Sequence, residues 1–174
     1  MTTLGANGEP LEIERKFLIH MPPEARLLRE SEKRIDITQT YLCRAPDEGS
    51  RRVRRSRTEG EETWYYSEKI HLTDRTRIER ERAITPAEAR ELLRQADGAL
   101  RPIAKTRWCV PYAGHTLEID VFPFWQDRAF LEAELSSETE ELLLPDWVRI
   151  IREVTEDPRY TNLALAAEIP EETI

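Results

Sequence analysis

The sequence predicts an α+β fold centred on an eight-stranded antiparallel β-barrel, closed into a tunnel, with a few surrounding helices. Three observations predict it. Eight segments that read as strands follow one another, several at hairpin distances. Charged residues recur at every second position on most of them, and in an extended chain that spacing turns them to one side. Some strands carry apolar residues opposite these charges and need cover, whereas others are charged on both faces, so a flat sheet would have no obvious core. Closing the sheet puts the charges around a lumen and leaves helices to cover part of the outside.

Residues 1–10 (MTTLGANGEP) contain Gly, Asn and Pro without periodicity and are expected to be a flexible lead-in to one domain over residues 11–174. LEIERKFLI (11–19) is the first strand. PPEARLLRE, from Pro22, has an early Pro and apolar Ala25, Leu27 and Leu28, which suits a short helix. RIDITQTYL (34–42) alternates in the β manner. DEGS (47–50) and EG (59–60) are turn signals, and RRVRRSR (51–57) with ETWYYSEKI (62–70) reads as a hairpin. TRIERERAI (76–84) leads into TPAEARELLRQADG (85–98), a helix with Thr85 as N-cap, Pro86 at its first position, Glu88 closing a capping box and Gly98 near the end. RPIAKTRWCVPY (101–112) and HTLEIDVF (115–122) flank AG at 113–114 as another hairpin, and AFLEAELSS (129–137) is the eighth strand. LPDWVRIIREV (144–154) and YTNLALAAEI (160–169) are expected to close the chain as short helices.

Composition limits the function. With 174 residues, 39% hydrophobic and 34% charged, the chain fits one globular domain rather than a disordered one. A net charge of −8 repels polyanions, so general binding of DNA or RNA is not expected, and the basic RRVRRSR stretch does not outweigh it. Any anion site must be built locally. Cys43 and Cys109, with no CxxC and no His pair nearby, indicate neither a disulfide framework nor a zinc site, and a reducing cytoplasm is the simplest setting. The N-terminus lacks a basic region followed by an apolar run, and no stretch approaches the ~20 apolar residues of a membrane span, so no membrane partner is expected.

Glu12, Glu14 and Lys16 open the pattern of charges at spacing two. Glu79 and Glu81, Glu118 and Asp120, Glu132 and Glu134 repeat it with carboxylates. Arg52 and Arg54, then Lys105 and Arg107, repeat it with cations, and Lys69 and Arg77 add single positive charges. The bland alternative is the wet face of a half-buried sheet. Leu11, Ile13 and Phe17, Leu117, Ile119 and Val121, and Leu131, Ala133 and Leu135 lie opposite the charges on three strands. Arg51, Arg55, Arg80 and Arg82 lie opposite them on two others. That contrast favours a charged lumen. Inside it, acidic and basic walls must face each other or face ligands. Carboxylates without Cys or His favour hard cations, Mg²⁺ or Mn²⁺, and converging Arg and Lys favour a phosphate chain. Repulsion between Glu12 and Glu14, about 7 Å apart on a strand, would be offset by a cation shared with substrate. Tyr41 and Tyr160 read as packing, His20, His71 and His115 as surface residues, and Trp64, Trp108, Trp125 and Trp147 as outer packing.

EIERKFLI resembles the ExExK signature of the CYTH superfamily, the triphosphate tunnel metalloenzymes. The likeness continues through QTYL (39–42), RRVR (51–54), SEK (67–69), RIERE (77–81), KTRW (105–108), LEIDVF (117–122), LEAEL (131–135) and EVTEDPRYTNLALA (153–166). The resemblance implies a tunnel that binds a triphosphate with a divalent metal, Mg²⁺ or Mn²⁺. It implies Glu12, Glu14 and Glu134 as metal ligands supported by Glu132. Arg52, Arg54, Lys69, Lys105 and Arg107, with Arg77 as a weaker member, would form the phosphate clamp. Glu79, Glu81, Glu118 and Asp120 would orient water or a second cation, and Lys16 would neutralise or protonate a leaving phosphate. Among the branches, the short bacterial type similar to inorganic tripolyphosphatases fits best. Thr40 stands where the pattern usually has Gly, Ala104 where an acid is common, and WVRIIREV is longer than usual, a change expected to affect the plug helix near one tunnel mouth. The implied activity is hydrolysis of tripolyphosphate, or a related triphosphate, to diphosphate and phosphate. A class IV adenylate cyclase making cyclic AMP and a non-catalytic polyphosphate-binding module are the alternatives, and a homodimer is compatible with either enzyme.

Overall fold

A computed structural model describes residues 3–4, 8, 10–44, 49–73 and 76–174. The first half of the expected 47–50 turn and much of the expected lead-in lie outside the described residues. In chain order the strands are β1 (Thr3–Leu4), β2 (Pro10–His20), β3 (Lys33–Tyr41), β4 (Ser50–Thr58), β5 (Glu61–His71), β6 (Thr76–Ile84), β7 (Ile103–Tyr112), β8 (His115–Val121), β9 (Arg128–Glu134) and β10 (Ile150–Glu153). The helices are α1 (Glu24–Glu30), α2 (Pro86–Leu93) and α3 (Asn162–Ala167), the last preceded by a 3-10 turn at Pro158–Tyr160. Hydrogen-bonded neighbours run β2-β6-β5-β4-β3-β7-β8-β9, and β9 pairs back to β2, so eight antiparallel strands close into a barrel. Among the described residues no helix is long and apolar enough to cross a membrane.

Two hairpin turns are as tight as their sequences predict. Glu59 and Gly60 join β4 to β5, and Ala113 and Gly114 join β7 to β8; all four have positive φ, as a two-residue turn matched to strand twist requires. Closure depends on the length of β2. Leu11–Ile13 pair with β6 and Glu14–His20 pair with β9. Beyond Ile13 the edge facing β6 is free, and β10 takes it by pairing with Phe17–Ile19. The helix expected over 144–154 is therefore replaced in part by a strand. Its Ile150 and Ile151 suit an extended chain, and β2 supplies unpaired backbone groups that a helix would have left unmet. β1, inside the expected lead-in, pairs with Pro10 and Leu11.

The outer face of β2, β7, β8 and β9 carries Phe17, Ile19, Trp108, Val110, Leu117, Ile119, Leu131 and Ala133, covered by Leu27 of α1 and by Leu142, Leu144, Trp147 and Val148. On the other side α2 sets Ala89, Leu92 and Leu93 against Val53, Trp64 and Tyr66. Thr85 caps α2 by accepting from the Glu88 N–H at 3.1 Å, but the Glu88 carboxylate accepts from Arg82 at 2.6 Å instead of completing the capping box. The Arg82 charge competes better for that carboxylate than a backbone N–H does.

The inward series changes chemistry along the barrel. At one end Leu18, Tyr41, Ile103, Phe122 and Phe130 pack with Tyr160, Leu165 and Ala166 from the chain's C-terminal segment and with Trp125, which was expected outside. Phe122 and Trp125 each meet Phe130 edge to face, at 5.5 and 5.2 Å between ring centres. The lumen is thus charged over only part of its length, and the charged part has a sealed floor. Leu165 is fully enclosed there, so Leu165→Ala is expected to lower the unfolding free energy by about 2–5 kcal/mol in urea denaturation.

Candidate functional site

The charged part of the lumen is a chamber of about 460 Å³ that opens beside the β7–β8 turn at Gly114, His115 and Thr116, within the ~300–1,000 Å³ typical of small-ligand sites. Alternation on each strand supplies its lining: Glu12 and Glu14 from β2, Arg52 and Arg54 from β4, Lys69 from β5, and Glu79 and Glu81 from β6. Lys105 and Arg107 come from β7, Glu118 from β8, and Glu132 and Glu134 from β9.

On the wall of β2, β4, β5 and β6, Lys69 lies 2.8 Å from Glu12 and 3.3 Å from Glu79. Arg77 reaches Glu14 at 2.5 Å and Glu12 at 3.6 Å. Arg52 holds Glu79 at 3.2 Å and donates to Ser67 Oγ at 3.0 Å, and Arg54 holds Glu81 at 2.8 Å. On the wall of β7, β8 and β9, Arg107 grips Asp120 at 2.7 Å, reaches Glu132 at 3.3 Å and pairs with Glu118. Lys105 meets Asp120 at 2.5 Å. Lys16 sits below this wall, 2.8 Å from Glu132, 3.3 Å from the Tyr160 carbonyl and 4.8 Å above the Phe130 ring.

These pairings set the protonation of the carboxylates. Burial alone would push Asp120 up, but Arg107 and Lys105 hold it below its usual range. Glu132 is likewise held well below by Lys16, Lys105 and Arg107 against its burial, and Glu79 by Lys69 and Arg52. Glu118 goes the other way: burial raises it, with Asp120 and Glu132 adding to the rise, and Arg107 only partly offsets them. Glu134 is also raised, by partial burial and by Glu12, Glu79 and Glu14. It stands directly opposite Glu14 in the β2–β9 register, and no cation among the described residues pairs with it. Like charges in that relation repel.

Three of the charged residues expected at the site stand back from the chamber. Lys16 underlies Glu132, Arg77 backs Glu14, and Asp120, fully buried at 0% exposure, ties Lys105 to Arg107. Several neutral or mouth residues line it without having been singled out, among them Gln39, His115, Ser136, Glu140 and Asn162. Gln39 had a signal, its place in the alternation of QTYL. His115, expected at the surface, is largely enclosed, because Glu140 arrives from beyond β9 to bond its Nε2 at 3.0 Å while also accepting from Ser136 N at 2.5 Å. His71 is exposed as expected. Tyr41 and Tyr160 pack in the floor. Among the described residues no three acidic, His or Cys side chains form a ready-made metal cage.

Similarity to known proteins identifies the family. The CYTH domain profile matches residues 10–164. The inorganic triphosphatase of Nitrosomonas europaea is 32% identical over 163 residues, covering 91% of this chain and 99% of its own length. That of Acetivibrio thermocellus is 33% identical over 153 residues, covering 87% of this chain and 90% of its own. A crystal structure of an inorganic triphosphatase superimposes with a TM-score of 0.54 at 29% identity, covering 92% of this chain and 97% of that one. A closed antiparallel barrel whose facing walls each interleave acidic and basic side chains, matched over nearly its whole length, makes this chain a member of the CYTH family.

Proposed function

We propose that this chain hydrolyses inorganic tripolyphosphate to diphosphate and phosphate inside the chamber, with a divalent cation, as one domain over residues 11–174 working in the cytoplasm. The observation that carries this reading is the charge balance of the lumen: among the described residues the cations on facing walls are already neutralised by carboxylates, and one carboxylate, Glu134, is left over. A polyanion entering such a site needs a cation to come with it.

Arg52, Arg54 and Lys69 on one wall and Lys105 and Arg107 on the other would take oxygens of the chain from two sides. Their carboxylate partners hold them in place beforehand, so little reorganisation is needed when substrate arrives. In the reaction a water oxygen bonds to the terminal phosphorus, the bridging P–O bond breaks, and diphosphate leaves with the electron pair. Glu118, raised by burial at the chamber wall, suits acceptance of the water's proton. Glu79 and Glu81 are held by Lys69, Arg52 and Arg54 and suit orientation of that water.

The donor set fits a hard cation, Mg²⁺ or Mn²⁺. Glu14 and Glu134, with Glu12 alongside and Glu132 in support, offer only oxygens, and their mutual repulsion is relieved by a shared positive charge. Mg²⁺ characteristically takes one or two carboxylates plus substrate oxygens and water rather than an all-protein cage, in keeping with the lack of such a cage among the described residues. When bound, the ion supplies charge neutralisation at the phosphoryl oxygens. No Phe, Tyr or Trp ring borders the chamber among the described residues, so nothing favours the adenine site that a cyclase needs.

Incubation with Mg²⁺ or Mn²⁺ and tripolyphosphate, ATP or thiamine triphosphate should release phosphate fastest from tripolyphosphate. Cyclic AMP from ATP, or tight binding without product, would overturn this reading. Glu134→Gln should lower metal-dependent kcat/KM by about 100-fold or more while leaving the melting temperature of the metal-free protein unchanged or higher, since it removes the repulsion across β2 and β9. Lys105 is pushed down to about 8 by burial and then by Arg107, with Asp120 resisting. The lysine is therefore a cation below that pH and neutral above it. Comparison of pH profiles should show kcat/KM falling through about pH 8 in the wild type, and that limb should be absent in Lys105→Arg, whose charge persists.

A further inference from the structure

The sealed end of the chamber presents two amide side chains with polar atoms left unmet. Gln39 projects inward from β3 between Ile37 and Tyr41 and is 1% exposed. Its Oε1 accepts from Arg52 Nη1 at 3.3 Å. A guanidinium only donates, so the amide is oriented with its oxygen toward Arg52 and Nε2 turned away. That Nε2 is buried and has no partner among the described residues, although Gln39 borders the chamber. Asn162, at the start of α3, borders the same chamber, and its Oδ1 is likewise buried without a partner among the described residues. Buried donors and acceptors are seldom left unmade, and a leucine at position 162 would fill the space without that cost. Beneath them lie Tyr41, Tyr160 and Leu165, which supply packing rather than solvent.

We propose that Gln39 and Asn162 form an end-stop that hydrogen-bonds the innermost phosphoryl group of the bound chain, an assignment that rests on the triphosphate reading of the chamber. Gln39 donates through Nε2. Asn162 makes no side-chain hydrogen bond among the described residues, so its amide is free to turn and donate through Nδ2. Neutral donors fix the position of a phosphoryl group without disturbing the charge balance of the walls. Because the floor is sealed, the chain enters from the β7–β8 mouth with an unsubstituted phosphoryl end leading, and the remainder of a longer chain lies toward that mouth.

The test measures tripolyphosphate affinity by calorimetry in Ca²⁺, with turnover in Mg²⁺ and thermal melts alongside, for the wild type, Gln39→Glu, Gln39→Met and Asn162→Leu. Gln39→Glu keeps an acceptor for Arg52 but replaces the donor by an acceptor and adds a negative charge, so it should weaken binding by about 10- to 100-fold, and the uncharged Asn162→Leu separates loss of the donor from added repulsion. Asn162→Leu breaks no side-chain hydrogen bond among the described residues and should weaken binding at an unchanged melting temperature. Wild-type affinity in Gln39→Glu together with weak binding in Gln39→Met would make Gln39 a strut for Arg52 and overturn the end-stop. If Gln39→Glu fails to fold, Asn162→Leu decides alone, and wild-type affinity there overturns the proposal. Wild-type protein that binds without turnover would refute the hydrolase reading while the affinities still judge the end-stop, and wild-type protein that does not bind would refute both.

Discussion

Charge that projects into a closed barrel has to be neutralised where it stands, because bulk water is not there to do it. That constraint orders this site. Lys69 shares Glu12 and Glu79, Arg54 takes Glu81, and Arg107 spans Asp120, Glu132 and Glu118. The side chains that face a ligand are thus fixed before one arrives, which is the condition for placing a phosphate chain accurately. The same balance leaves no surplus positive charge for a polyanion, so the anion and its counter-cation belong together. Glu134, opposed to Glu14 and paired with no cation among the described residues, marks where the protein keeps negative charge in reserve.

The strands that build the charged walls also build the floor. Inward residues on β2 run Glu12, Glu14, Lys16, Leu18; on β9 they run Glu134, Glu132, Phe130; on β8 they run Glu118 and Asp120, with Phe122 following just past its end. The period of two is unbroken while the chemistry turns from charged to apolar. Tyr160, Leu165 and Ala166 complete the floor from the far end of the chain. An apolar layer directly below Lys16, Glu132, Lys105 and Asp120 lowers the local dielectric, which strengthens those pairs and makes any loss of one partner costly.

Much of this was legible in the chain. All eight barrel strands lie where alternation places them, and both two-residue turns fall at EG and AG. Most of the charged residues at spacing two converge on one chamber. The misreadings have a common source. Val148, Ile150 and Ile151 are apolar at spacings that suit either helix or strand, and the free edge of β2 settled the matter in favour of β10. His115 looks like a turn residue until Glu140 covers it. Asn162 carries no local sign of facing a cavity, because the segment that holds it is placed by packing on the floor.

Alternation is a property of the extended backbone, so the sequence by itself determined which side chains share a face and that this face is charged on seven of the eight barrel strands. Which carboxylate each cation meets, which end of the barrel is sealed, and which amides are left facing the chamber were decided only by the tertiary structure. Those contacts join residues as far apart as Lys16 and Tyr160, 144 positions along the chain, and they exist only once β9 has paired back to β2 and the C-terminal segment has folded over the end.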